Sequence, residues 1–486
     1  MADQWDAIIA GAGTVGIPAA IFAARRGARV LVLEAAPEIG GTLHLSAGQM
    51  SAAGTKAQAA LGIDDSPDSH FEDAMRISKG TADESLVRLA VDNAAATYDW
   101  LTDNGFVPLE GHPVLGLAHE PYSERRYYWG QDGGRTILAM LRPLFDAEVA
   151  AGKVTIHMQT KVTKLIQDAG RRVTGVIASG PDGETQHDSA NVVLATGGYA
   201  SNPALFEKLN GRPQYVNASY EYTQGAGIEF GVAAGGWVRG AENYICSFGN
   251  ILEDDNFPAR VSARARTMPQ DRQPWEIYVN VHGERFVAED NPSVDAREHA
   301  LLQQPDLRFW IIYDQTIAQE APPLVMTGLS HDIYIWPPEE MAKAFATHPM
   351  FTQADSLGAL AEKTGIDGSG LAATVAAYNA ALAGDDPLGR THRPKPLTEP
   401  PFYAVRMQGT TITSTVGLAV DDDLRVIDKD RKPIAGLYAA GELLGSGQTM
   451  GSAAIGGMMV TPALTFGKIL GDRILDWSGT AAQAAK

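Results

Sequence analysis

Apolar residues near the start of the chain form short uninterrupted runs that alternate with a helical pattern. The run DAIIA at residues 6–10 is followed by the glycine-rich GAGTVG and then by the helical pattern IPAAIFAARRG. A second apolar run, RVLVLE, ends on Glu34. Short, fully apolar runs are typical of strands that are buried in a parallel sheet with helices on both faces. The pattern therefore predicts a β-α-β unit over residues 6–34 within an α/β fold.

The turn of this unit carries the spacing G-x-G-x-x-G, with Gly11, Gly13 and Gly16. Strand, glycine turn, helix, strand and a terminal acid together form the dinucleotide-binding fingerprint. The glycines permit a tight turn and a close approach of the backbone to a pyrophosphate, whose charge lies at the helix N-terminus. Glu34 would accept hydrogen bonds from the ribose hydroxyls.

The following residues favour a flavin over a nicotinamide dinucleotide. The segment EAAPEIGGTLHLSAGQMSAAGT is a second polar, glycine-rich stretch, in which Gly40, Gly41 and Thr42 could wrap a pyrophosphate and a ribitol. A second segment of this kind suits the longer FAD. Two other glycine clusters, GAGIEFG and GSGQTMG, have the wrong spacing for a separate NAD(P)H site. We therefore predict non-covalently bound FAD and no visible NAD(P)H site.

The composition excludes several other classes of protein. The chain has 486 residues, a net charge of −19 and a pI near 5.0, which disfavours nucleic acid and anionic membranes as partners. Cys246 is the single cysteine, so no disulfide, Cys-ligated zinc site or iron–sulfur cluster can form within one chain. No histidine pair has metal-ligand spacing on a predicted element, and we predict no metal.

One uncharged stretch, residues 443–467, resembles a membrane span in length. Its six glycines and several polar residues instead favour a loop followed by a buried helix. The first strand begins almost at the amino terminus, which leaves no room for a signal peptide. The expected location is the cytoplasm, with no membrane partner.

These pieces, in this order, resemble the flavoprotein family of fumarate reductase and 3-ketosteroid dehydrogenase, from residue 6 to about residue 473. The most specific pieces are GGTLHLSAGQMSAAGT, VVLATGGYASN, GERFVAED and GLYAAGE. By this resemblance, Val162 would contact FAD through its backbone. The other expected FAD contacts are Gly11, Gly13, Gly16, Glu34, Gly41, Thr42, Gly48, Thr196, Gly197, Glu442, Ile455 and Gly456.

The resemblance also implies an architecture. It predicts an α/β, Rossmann-like FAD-binding domain of the GR2 type, formed by residues 1–242 and 398–486. An α+β capping domain, residues 243–397, is inserted between them. In this family such a cap closes over the flavin ring and carries substrate contacts.

The motif GERFVAED resembles the cap motif whose arginine reaches the active site, and the arginine here is Arg285. In fumarate reductases this arginine donates a proton while flavin N5 donates a hydride. The other interpretation of Arg285 is a structural salt bridge with Glu289 or Asp290. The sequence leaves both open.

The positions with which the family clamps a dicarboxylate are changed in this chain. They are occupied by Thr413, Ala454 and Phe248, and the acid of the family's proton relay falls near Val261. Arg264 matches the arginine of that relay. Unpaired carboxylates are costly to bury, so these changes argue against fumarate or succinate and favour a neutral, largely apolar substrate.

The 3-ketosteroid dehydrogenase branch, which surrounds a neutral ketone with tyrosines and backbone amides, fits these changes better. Its chemistry removes a proton next to the carbonyl, stabilises the enolate in an oxyanion hole and transfers the β-hydrogen as hydride to flavin N5. Here Gly456 or Gly457 could supply the amide, and Tyr127 or Tyr128 the hydroxyl.

We therefore predict α,β-dehydrogenation of a neutral cyclic ketone, either a 3-ketosteroid or a cyclohexanone-like compound, with an unknown electron acceptor or donor. One alternative is a reductase that acts on an activated C=C bond. Another is a non-catalytic flavin-binding or redox-sensing protein.

Overall fold

The computed structural model describes residues 4–116, 119–328 and 333–483, and the chain divides into two compact units. The first unit comprises Met1–Arg212, Ser219–Tyr244 and Thr413–Lys486, and the second comprises Pro213–Ala218 and Ile245–Ile412. The predicted insertion covers residues 243–397, whereas the second unit extends to Ile412. The second unit includes these further residues because the strand Phe402–Gln408 pairs with its strand Arg308–Tyr313.

The first unit is built on a six-stranded sheet. In spatial order its strands are Arg425–Ile427, Pro433–Ala439, Val192–Leu194, Ala7–Ala10, Val30–Leu33 and Val154–His157. All neighbours are parallel except the edge strand Arg425–Ile427. The two predicted strands are thus confirmed at the centre of the sheet, where every residue is buried.

The helix Gly16–Arg25 follows the first central strand and packs along the last described helix, Val460–Gln483. Gly467 and Gly471 lie in their contact, where an added Cβ would come within 2.4 Å of Val15 O and 2.5 Å of Ala19 O. These glycines let the two backbones approach closely, which explains part of the uncharged stretch. No described helix is long and apolar enough to cross a membrane.

Smaller elements complete the first unit. A second sheet contains Gln4–Trp5, Gly183–Ser189, Val173–Gly180 and Lys161–Gln167, and two ribbons pair Met50–Ser51 with Tyr127–Tyr128 and Val238–Arg239 with Gly417–Leu418. The remaining α-helices are Lys56–Ala60, Pro67–Ile77, Glu84–Asp103, Gly134–Ala150, Pro203–Asn210, Ala226–Ala233 and Ser446–Thr449. Short 3₁₀ helices span Gly41–His44, Ala241–Asn243 and Gly441–Leu444.

The second unit contains two four-stranded antiparallel sheets. One orders Ile251–Leu252, Val261–Ala265, Val325–Thr327 and Tyr334–Ile335, and the other orders Ile277–Val279, Arg308–Tyr313, Phe402–Gln408 and Phe351–Ala354. Its helices are Val294–Leu302, Gln315–Glu320, Pro338–Thr347, Leu357–Thr364 and Gly368–Ala381, with a 3₁₀ turn at Pro305–Leu307.

Candidate functional site

The three glycines of the first turn have different local roles. An added Cβ on Gly16 would lie 1.8 Å from Gly11 O, and one on Gly11, whose φ is +106°, would lie 2.3 Å from Ala195 O. Both positions therefore exclude side chains because the protein itself fills the space. A Cβ on Gly13 would meet nothing closer than Gly41 Cα at 3.8 Å. The space in front of Gly13 is thus open, as close approach of a pyrophosphate requires.

The second glycine-rich segment lies directly beside this turn. The Gly40 N–H donates to Ala12 O at 2.8 Å, and an added Cβ on Gly41 would lie 3.3 Å from Gly13 Cα. Thr42 follows in the 3₁₀ helix Gly41–His44. The fold therefore brings together the two segments that the sequence analysis assigned to the pyrophosphate and ribitol.

Glu34 lies at the carboxyl end of its strand with its carboxylate held in place. Oε2 accepts a hydrogen bond from the Ala12 N–H at 2.6 Å, and Oε1 accepts one from the Ala36 N–H at 2.7 Å. Burial raises the pKa of Glu34 from its ordinary value. The Thr160 N–H donates to Glu34 O at 2.8 Å, so the strand that carries Val162 begins beside this acid.

Glu442 occupies a comparable position after the strand Pro433–Ala439. Its Oε1 accepts hydrogen bonds from both the N–H and the hydroxyl of Ser414, each at 2.9 Å. The Tyr199 N–H in turn donates to Ser414 Oγ at 2.7 Å, which ties this acid to the chain just after Thr196 and Gly197. Sequence reasoning missed Ser414, whose only signal was its position beside Thr413 in the loop TITSTVG.

Gly48 is a glycine for reasons of packing. Its φ is +64°, and an added Cβ would lie 2.4 Å from the carbonyl carbon of Gly133. A contact between Gly48 and a flavin stays a prediction.

These residues fit FAD. The open space at Gly13 lies before the N-terminus of a ten-residue helix, where backbone N–H groups and the helix dipole favour an anion. The Glu34 carboxylate, with two oxygens fixed by backbone amides, suits the hydroxyls of a ribose. The individual contacts to the cofactor remain predictions.

A second group of polar atoms surrounds the Tyr127–Tyr128 ribbon. The side chain of Tyr127 is 1% exposed, and no described residue forms a hydrogen bond of ordinary geometry with its hydroxyl. The Gly457 N–H is directed toward this hydroxyl, and an added Cβ on Gly456 would lie 3.0 Å from Tyr127 Cζ. A buried hydroxyl without a partner is costly in a folded protein and is a candidate ligand contact.

The loop that carries Gly456, Gly457 and Ile455 is fixed against the ribbon. An added Cβ on Gly457, whose φ is +80°, would lie 2.4 Å from Ser51 N, and the Tyr122 hydroxyl donates to Gly456 O. Ile455 is buried, and its carbonyl accepts a hydrogen bond from the Met458 N–H at 3.1 Å. The sequence analysis missed both Tyr122 and Ser51, although Ser51 lies within a segment that it quoted and Tyr122 lies five residues before Tyr127.

Tyr128 has a different environment from its neighbour. Its hydroxyl lies 2.8 Å from Thr55 Oγ1, and its ring packs on Tyr98 with centroids 4.0 Å apart. This is the ordinary role of a buried tyrosine whose hydroxyl is satisfied. Of the two predicted tyrosines, Tyr127 alone presents a buried hydroxyl that has no described partner.

Arg285 lies in the second unit and is paired with two carboxylates. Its Nε and Nη2 donate to Glu289 at 2.7 and 2.5 Å, and its Nη1 donates to Asp386 at 2.6 Å. Asp290, the other predicted partner, instead accepts hydrogen bonds from Thr391 and His392. Burial alone would lower the pKa of Arg285, but Glu289 and Asp386 raise it above its ordinary value. The structural salt bridge is therefore present, and an active-site role stays a prediction.

We expect Arg285→Gln to lower the free energy of unfolding by about 3–5 kcal/mol, because it leaves the buried Asp386 without its cation and the buried Glu289 with Arg390 alone. The Glu289 and Asp386 side chains are both fully buried. Burial would raise the pKa of Asp386, but Arg285 lowers it below its usual range, so this stability is present at neutral pH and is lost as the pH falls from the usual range through the lowered pKa. Urea denaturation at neutral and acidic pH would check this. A variant as stable as the parent at neutral pH would contradict the structural role.

Comparison with known proteins identifies the family of this chain. The model of the FAD binding domain family matches residues 6–458. A probable fumarate reductase of Shewanella frigidimarina is 28% identical over 474 residues, 96% of this chain and 74% of that protein. A 4-oxocyclohexanecarboxylate 2-dehydrogenase of Sinomonas cyclohexanicum is 26% identical over 99% of this chain and 96% of its own length.

A solved structure is similar as well. The structure of the 3-ketosteroid Δ1-dehydrogenase of Sterolibacterium denitrificans has a TM-score of 0.75 against this chain, with 20% identity over 97% of this chain and 99% of that one. At this identity the likeness shows the fold alone. The predicted fold class and the predicted cofactor, FAD, are confirmed. The chain therefore belongs to the FAD binding domain family and is an FAD-dependent oxidoreductase.

Proposed function

We propose that this enzyme removes two hydrogens from a CH–CH bond next to the carbonyl of a cyclic ketone. The observation that carries the proposal is the buried Tyr127 hydroxyl, which has no described hydrogen-bond partner and lies beside the Gly457 N–H. The relative that acts on 4-oxocyclohexanecarboxylate supports a ring ketone as the class of substrate.

Tyr127 is suited to donate a hydrogen bond. Burial raises the pKa of its hydroxyl well above the ordinary value, so the hydroxyl keeps its proton at neutral pH. A protonated hydroxyl can donate a hydrogen bond to a carbonyl oxygen and stabilise the negative charge that develops when the adjacent C–H loses its proton. We assign this role to Tyr127, whose hydroxyl oxygen is oriented by the Gly457 N–H.

FAD, when bound, would supply the acceptor for the β-hydrogen and its electron pair, and the α-proton would pass to water, so the ketone is oxidised to the α,β-unsaturated ketone and the flavin is reduced. The chain contributes position and electrostatics to this step. The loop Ile455–Met458 packs directly against Tyr127 and the strand Met50–Ser51, because Gly456 and Gly457 place no side chain in this contact. This close packing fixes the position of the Tyr127 hydroxyl and of the Gly457 N–H.

The second candidate is reduction of an activated C=C bond, which the likeness to a fumarate reductase supports. In that direction a residue must supply a proton. Arg285 is a poor source, because two carboxylates bind it and raise its pKa. The changed clamp positions Thr413, Ala454 and Phe248 also offer no cation to a dicarboxylate.

An anaerobic experiment separates these candidates. Oxidised enzyme would be mixed with saturated cyclic ketones, 3-ketosteroids and dicarboxylates, and dithionite-reduced enzyme with the matching enones and with fumarate. We expect a saturated cyclic ketone to bleach the oxidised flavin. Reoxidation by enones without any bleaching by ketones would establish the reductase instead. Tight FAD binding with neither reaction would favour the non-catalytic, redox-sensing alternative.

A further inference from the structure

Arg264 is a half-buried arginine on the strand Val261–Ala265 of the second unit. Its Nε donates to Asn250 Oδ1 at 3.2 Å, and its Nη1 donates to Gly328 O at 3.2 Å. Both acceptors are neutral, and no carboxylate of the described residues forms an ion pair with it. Arg272 and Arg285 in the same unit are each paired with buried carboxylates.

Partial burial of the Arg264 guanidinium costs free energy that no ion pair with a described residue offsets. Burial lowers the pKa of Arg264, and no acidic group offsets that effect. A partly desolvated cation with neutral neighbours is destabilised until an anion binds to it. The fold therefore keeps a partly desolvated positive charge that forms no ion pair with the described residues.

The orientation of the guanidinium is also fixed. Asn250 Nδ2 donates to Thr410 Oγ1 at 2.6 Å and to Ser247 Oγ at 3.3 Å, so its Oδ1 is held toward Arg264. The Asn250 backbone is paired with Gln408 in both directions, at 2.8 and 2.9 Å. With Nε and one Nη1 hydrogen engaged, one hydrogen on Nη1 and two on Nη2 remain. The remaining hydrogens on Nη1 and Nη2 form the edge with which an arginine can bind both oxygens of a carboxylate.

We propose that Arg264 is the anchor of a carboxylate-binding site in the second unit, where Nη1 and Nη2 receive the two oxygens of a small organic acid. The acid is a separate small molecule, and every residue that carries the proposal lies within the second unit.

Calorimetric titration of the oxidised holoenzyme tests the site without any turnover. The probes are cyclohexanecarboxylate and cyclohexanecarboxamide, which have the same ring and differ in charge. We expect the carboxylate to bind about 10- to 100-fold more tightly than the amide, as charge-assisted hydrogen bonds imply. Arg264→Gln should remove that difference, while Arg264→Lys should keep part of it.

Arg266→Gln is the matched control. Arg266 lies two residues further along and is paired with the exposed Asp271, so its loss should leave both affinities unchanged. Melting temperatures and bound flavin establish that each variant is folded. Equal affinity of the parent for carboxylate and amide, or an unchanged preference in a folded Arg264→Gln variant, would overturn the proposal.

A third titration uses acetate as the probe, with and without a saturating cyclic ketone. Acetate that binds through Arg264 with the same affinity in both cases supports a separate acid. Acetate that binds equally well to Arg264→Gln would overturn the proposal. Failure of the proposed function would show instead as a lack of flavin reduction with every ketone, whatever the outcome of these titrations.

Discussion

Replacement of Tyr127 by phenylalanine is expected to lower the rate of flavin reduction by a cyclic ketone by about 10²–10³-fold, the usual effect of removing one oxyanion donor. The reason is that its buried hydroxyl forms no hydrogen bond of ordinary geometry with the described residues, and we propose that it donates to the substrate carbonyl. The same absence predicts an unchanged or slightly higher stability. Stopped-flow reduction and thermal unfolding of the holoenzyme would measure the two effects.

Tyr128→Phe is the control for this prediction, because the two tyrosines are adjacent and differ in their partners. It removes the hydrogen bond to Thr55 Oγ1, which should cost about 1 kcal/mol of stability and leave the reduction rate nearly unchanged. If Tyr128→Phe loses activity and Tyr127→Phe does not, the assignment of the hydroxyl is wrong.

Replacement of Gly13 by aspartate is expected to weaken FAD binding by at least about 100-fold, because like charges brought together cost several kcal/mol. The added side chain has room, since its Cβ would meet no protein atom closer than 3.8 Å. The fold of the flavin-free protein should therefore survive. The measurements are the flavin content after gel filtration and the unfolding temperature of the flavin-free protein.

Gly358→Asp provides the comparison, since an added Cβ there meets nothing within 4 Å and the residue lies in a helix of the second unit. It should retain FAD fully. A Gly13→Asp variant that binds FAD as tightly as this control would show that the pyrophosphate does not approach the first glycine turn.

The FAD-binding part of the fold could be predicted because the motifs that indicate it lie close together in the sequence. The glycine turn, the helix that follows it and Glu34 all lie within thirty residues, and each depends on a backbone requirement that residue types reveal. The partners of Arg285 were only half predicted. Glu289 is four residues away, whereas Asp386 lies 101 residues away and reaches Arg285 only through the folding of the second unit.

The sequence could not predict which of the two hydroxyls, that of Tyr127 or that of Tyr128, forms a hydrogen bond within the protein. Successive side chains of a strand point to opposite faces, so one tyrosine faces Gly456 and the other faces Thr55 and Tyr98. Which face is which depends on the pairing of this two-residue strand with Met50–Ser51, fixed by distant parts of the chain. The strand Phe402–Gln408, which follows the predicted boundary at residue 397, likewise pairs with Arg308–Tyr313 from a distant part of the chain.

The central claim is that the enzyme oxidises a CH–CH bond beside a carbonyl that Tyr127 holds. The most direct measurement is an anaerobic single turnover, in which the oxidised holoenzyme is mixed with a saturated cyclic ketone and the organic product is identified by mass spectrometry. We predict one α,β-unsaturated ketone for each flavin reduced, formed far more slowly by Tyr127→Phe. The account would be contradicted if the ketone were recovered unchanged and the flavin stayed oxidised, although dithionite reduced the same flavin normally.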